Sequence, residues 1–169
     1  MKLVRILLLV TAVMWVTACQ AQTPTENNDT VDYDYASGGP GFSVVLKGVG
    51  LQAKTPEIRP ADDLGTPGYS YVIVPMIISN QSATPVLPAS MVLIDQHMNE
   101  YISWQTNVPF GDELTPLPLA VEKDQTVEGQ QVFIVPNSAL SAGLHLRWQS
   151  VGHQSLMEIY LGELSPAGE

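Results

Sequence analysis

Apolar and polar positions alternate cleanly near the C-terminus. Leu144, Leu146 and Trp148 interleave with His145, Arg147 and Gln149, which predicts a strand with one buried and one solvated face. A last strand follows over 156–164, with Met157, Ile159 and Leu161 on one side. Upstream, 126–135 reads as a strong strand ended by Pro136, and 137–142 as one helical turn closed by Gly143. Segments 90–95 and 100–104 form a predicted hairpin, and 119–121 a short strand. The longest apolar run outside the extreme N-terminus is Tyr69–Asn80. Val72, Val74, Met76 and Ile78 would share one face, and Tyr71, Ile73, Pro75 and Ile77 the other. Two apolar faces predict burial on both sides. Pro75 argues for an edge or a bulge, because proline cannot donate to a ladder. If uncovered, Tyr71, Ile73 and Ile77 would form an apolar stripe of the kind that marks an interaction site; if the preceding chain covers them, they are core.

The first strand candidate is 42–51, where Phe42, Val44 and Leu46 alternate with Ser43, Val45 and Lys47. Gly48 and Gly50 break it and suggest a bulge or a close backbone approach. Between it and Tyr69 lies a proline-bearing stretch, 52–68, read as a long loop that is either functional or tied down by short structure. The pattern gives seven or eight strands and no long helix. It predicts an all-β fold, an antiparallel β-sandwich over 42–164 with a short C-terminal tail, 165–169.

Composition places this domain outside the cytoplasm. Residues 1–18 have a basic start, Lys2 and Arg5, then an apolar stretch from Ile6 to Val16. That is the layout of a secretory signal, too short for a comfortable membrane span. It ends Val16-Thr17-Ala18-Cys19, which resembles the lipobox of bacterial lipoproteins. The resemblance implies cleavage before Cys19 and acylation of Cys19 by palmitate-type chains, two or more of which anchor a protein stably. Gln20 follows the cysteine. By the same resemblance this favours the outer membrane in a two-membrane cell, and the outer face of the membrane otherwise. Cys19 is the only cysteine, so no internal disulfide can form. Residues 19–41 are polar and acidic without periodicity and read as a disordered tether.

Charge narrows the partners. The formal net charge is -10, with no Lys/Arg cluster after the leader. Nucleic acid and anionic lipid headgroups are thereby disfavoured as partners, leaving the membrane through the Cys19 lipid and an envelope protein.

Four motifs in order carry a family resemblance. They are Tyr71 to Asn80 with Gln81-Ser82; Leu93-Ile94-Asp95 with Tyr101; Glu128-Gly129 through Phe133 to Val135-Pro136; and Leu144-His145-Leu146. Together they resemble a bacterial lipoprotein family that carries an immunoglobulin-like, telokin-like domain of unknown function, related to the immunoprotective extracellular antigen group. The resemblance spans 42–162. It departs at Lys123-Asp124, where the family often has Pro-Gly. It implies an immunoglobulin-like sandwich without the antibody disulfide, and it brings no catalytic residues.

Candidate chemistry is sparse. No Gly-x-Ser-x-Gly, phosphate loop or dinucleotide fingerprint occurs. Asp29, Asp32 and Asp34 do not follow the spacing of a calcium loop. His97-Met98 resembles the start of the ligand set of periplasmic copper chaperones, and imidazole with thioether suits Cu(I). His153 and Met157 would be the second half of such a site. The reading is therefore a non-catalytic, cofactor-free binding module at the cell envelope, with copper binding or delivery as the alternative.

Overall fold

The computed structural model describes residues 31–65, 67–104, 110 and 113–165. The predicted leader, Cys19 and the end of the tail lie outside the described residues.

The strands are β1 (Asp34–Gly38), β2 (Ser43–Leu46), β3 (Val49–Ala53), β4 (Glu57–Pro60), β5 (Tyr69–Asn80), β6 (Met91–Ile94), β7 (Glu100–Ile102), β8 (Gln125–Pro136), β9 (Leu144–Ser150) and β10 (Ser155–Gly162). One helical turn, α1 (Asn137–Leu140), joins β8 to β9. They form a β-sandwich. One sheet has the order β1-β10-β9-β6-β7. The other has the order β2-β3-β5-β4, with β8 along the opposite side of β5. All pairings are antiparallel except β1 with β10, which is parallel.

The predicted inner face holds. Val72, Val74, Met76 and Ile78 meet Leu146, Trp148, Met157 and Ile159 in the main core. The alternation of β5 fixes this register, since a slip of one residue would turn the whole set outward.

Two expectations are corrected and one open choice is decided. The stretch 42–51 is two strands rather than one. Lys47 and Gly48 both take positive φ (48° and 80°) and close a tight β2–β3 hairpin, the geometry that a two-residue turn with right-handed twist requires. Gly50 is a close approach: a Cβ there would collide with Ser79 Oγ. Of the two readings of 52–68, the structure shows short structure tying it down: β4 pairs with β5, and a short 3-10 turn spans Asp62–Leu64. The stretch read as tether is ordered from Asp34, where β1 pairs along β10 and Ala36 packs on the core. Short length and a single half-buried side chain, Ala36, hid this edge strand from pattern reading.

Pro75 is neither at an edge nor in a bulge of its own strand. β5 pairs with β3 over Met76–Asn80 and with β4 over Ser70–Ile73, so Pro75 falls at the join. Its carbonyl accepts from Lys54 N (2.9 Å), so its backbone polar groups point toward that join and away from β8. In the β5–β8 ladder, Pro75 opposite Gln130 is a pair that exchanges no hydrogen bonds. The missing N–H therefore costs the sheet no ladder bond.

Candidate interaction surface

The outer faces of the two sheets differ. On the β5–β8 sheet, Tyr71 is 1% exposed and Ile73 is 0% exposed. They form a second core with Ala61 and Val132, packed against Leu64, Trp104, Phe110, Leu114 and Ile134. Polar clips hold the rim. Tyr71 donates to Asp63 at 2.9 Å, and Arg59 pairs with Glu57 (2.7 Å) and Glu113 (2.9 Å) while lying 4.8 Å over the Phe110 ring. Burial first, then the Asp63 carboxylate, pushes the Tyr71 phenol up to about 12. The stripe expected at Tyr71, Ile73 and Ile77 is thus not an open surface: Tyr71 and Ile73 are sealed, and Ile77 is half-buried. The cover comes from two separate stretches: 61–64 on one side, and Trp104, Phe110 and Leu114 on the other.

The other sheet presents an open, mixed face. The ladder registers align Tyr160, His145, Ile94 and Glu100 in one row, and Glu158, Arg147, Val92 and Ile102 in the next. Tyr35, Leu156 and Gln149 make a third. Arg147 Nη2 meets Glu158 Oε1 at 2.7 Å, and the two side chains are only 18% and 14% exposed. Tyr35 donates its phenol to Glu158 Oε2 at 2.9 Å. Burial tends to raise the Glu158 carboxyl, but the hydrogen bonds from Arg147 and Tyr35 outweigh it and hold it below its usual value. The His145 ring packs against Tyr160, tilted by 50°, at 4.8 Å between centroids. Tyr35 and Tyr160 remain 56% and 42% exposed, and Ile102 77%. The signal for this face was present as the polar half of the β9 alternation, but nothing in it marked those residues as more than a solvated surface.

The copper candidates do not converge. His97 and Met98 lie exposed at the β6–β7 tip. Asp95 shapes that tip by accepting from His97 N, Asn99 N, Asn99 Nδ2 and Tyr101 Oη. His153 follows the far end of β9 from His145, which pairs with Ile94 beside the tip. The strand between them spans about 17 Å. The His153 ring is engaged by Ser82, Ser150 and the Thr84 carbonyl and packs on Trp148. Met157 is fully buried core. Among the described residues no group of three His, Cys, Asp or Glu side chains is placed to hold a metal ion. The tether carboxylate Asp34 pairs with Lys47 at 2.7 Å.

These features define a β-sandwich with one partly covered and one open outer face, and similar folds occur among solved structures. The yjhA protein of Bacillus subtilis matches 73% of this chain and 98% of its own, with a TM-score of 0.52 at 8% identity. A lipoprotein candidate of Bacillus subtilis, ycdA, matches 72% of this chain at 11% identity with a TM-score of 0.53; the match spans 38% of ycdA. A secreted protein of Mycobacterium tuberculosis, MPT63, gives 0.48 at 12% identity over 73% of this chain and 95% of its own. The first two establish likeness of fold. No family model and no curated protein matches the sequence.

Proposed function

We propose that the chain is an extracytoplasmic lipoprotein, anchored through Cys19, whose sandwich is a non-catalytic binding module of the cell envelope. The observation that carries the binding role is the unequal treatment of the two outer faces. One is covered over Tyr71 and Ile73 by its own chain, while the other leaves tyrosines, an isoleucine and a histidine around an arginine–glutamate pair. Kinship with the immunoglobulin-like lipoprotein family belongs to the same reading and rests on the four ordered motifs. So does the membrane assignment: the outer membrane where there are two, otherwise the outer face of the single membrane.

Two measurements test it. Cys19→Ala should move the protein from the membrane to the soluble fraction and abolish incorporation of labelled palmitate; retention in the membrane overturns the anchor. A photocrosslinker at Tyr160 should yield a discrete envelope adduct that the same group at Tyr69, on the other sheet, does not. Equal adducts from both sites overturn the assignment of the face. Turnover of a substrate by purified protein, lost on a single substitution, would end the non-catalytic reading.

A further inference from the structure

We infer that the open face binds an uncharged oligosaccharide laid along β10, stacked on Tyr35 and Tyr160 and hydrogen-bonded between them by Arg147, Glu158 and Gln149. This inference deepens the binding reading above and rests on it.

Four observations lead there. The tyrosines flank the ion pair on one face. Tyr35 stands opposite Leu156, four residues from Tyr160, so their Cα positions are about 14 Å apart, with the Tyr35 hydroxyl on Glu158 and the Tyr160 ring against His145. That span suits several linked rings rather than one. Aromatic faces carry a negative quadrupole, and the C–H-rich faces of pyranose rings are the natural complement. Between them, Arg147 directs its Nε and Nη2 at Glu158 Oε1. A guanidinium has five donors in a fixed fork, so further N–H groups are left to meet sugar hydroxyls. Glu158 keeps acceptor capacity beyond its bonds to Arg147 and Tyr35. The pair is already fixed by contacts on three strands, so little side-chain entropy is lost when a ligand arrives.

Charge separates this occupant from the others. The chain carries a formal net charge of -10. A second copy, or an anionic polymer, would meet long-range repulsion. At the centre of the face, however, Arg147 and Glu158 neutralise each other. A neutral polyhydroxyl ligand meets the compensated centre without that penalty.

The test uses the full-length protein in detergent. It is sedimented with chitin and with cellulose, then titrated calorimetrically with chitotetraose and cellotetraose. Retention on at least one polysaccharide is expected. Tyr35→Ala and Tyr160→Ala should each weaken binding about tenfold, and Arg147→Lys should weaken it while the thermal midpoint stays near wild type. Tyr69→Ala, on the other sheet, should bind as wild type does. No retention on either polysaccharide, or equal weakening by Tyr69→Ala, overturns the inference. If the Tyr160 crosslinker captures a protein while no polysaccharide binds, the saccharide inference fails and the binding-module reading stands. If neither occurs, both fail.

Discussion

At Asp95, 3% exposed, four donors converge on one carboxylate. Burial would raise its pKa, but the bonds from Asn99, Tyr101 and His97 prevail and leave it below the ordinary 3.8. Asp95→Ala should destabilise the protein by about 2–3 kcal/mol, because charged hydrogen bonds are lost and the Tyr101 hydroxyl loses its acceptor; chemical denaturation measures this. A second expectation concerns pH. Asp95 and Glu158 both have depressed folded values, against ordinary values of 3.8 and 4.5. The unfolded chain therefore binds more protons as the pH falls. Their contribution is complete above the ordinary carboxylate range and is lost as pH drops through the lower folded values. Thermal midpoints followed from pH 7 downward should fall on the acid side, and Asp95→Asn should flatten that fall. At Ile73, truncation distinguishes a core residue from a surface one. Ile73→Ala should cost about 2–5 kcal/mol, the range for a buried aliphatic side chain, whereas an exposed stripe residue would cost a few tenths. Sequence alone left this choice open, since period-2 alternation reports which side chains share a face and not what lies above it.

At the scale of elements, strong periodicity carried the reading. β9, β10, β8 and β5 were legible because each buries a full alternating set. The elements that were missed are short or face one another weakly. β4 has no fully buried residue, and β1 has none either. The β2–β3 turn was hidden by Lys47, which adopts a positive φ that lysine rarely takes. Edge protection is another element-scale property. Along the free side of β8, Gln130 N donates to Thr115 O (2.8 Å) and Trp104 N to Val132 O (2.7 Å). Passing chain thus pairs part of an edge that could otherwise recruit other strands. Gly129 allows this approach: a Cβ there would lie 2.9 Å from Thr115 O and 3.1 Å from Leu117 N. Gly129→Ala should lift 115–117 off the edge, at a cost of about 1–3 kcal/mol. Faster exchange of the Gln130 amide and a concentration-dependent rise in light scattering would report it.

For the whole molecule, the sandwich class was legible in strand count and in the absence of a long helix. The open face was not, because it is assembled from five strands drawn from both ends of the described chain. Tyr35 and Glu158 are 123 residues apart in sequence yet share a hydrogen bond. Only the parallel docking of β1 brings Tyr35 to that face. The covered face was equally non-local, since its cover comes from 61–64 on one side and from Trp104, Phe110 and Leu114 on the other.

β1 also decides how the molecule bears load. Any pull from an anchored N-terminus enters at Asp34, the start of a strand running parallel to β10 over five paired positions. Such a pull acts along the strand axis, so the rungs resist together in shear instead of opening one by one. The adjacent Lys47 ties the entry point twice, to the Asp34 carboxylate and to the Gln154 carbonyl. Under the proposed lipid anchor, strain from the membrane would be delivered into β10, the strand that carries Glu158 and Tyr160. A ligand held on that face and a lipid held in the bilayer would be two ends of one mechanical line, with the sandwich core hung beside it rather than in series.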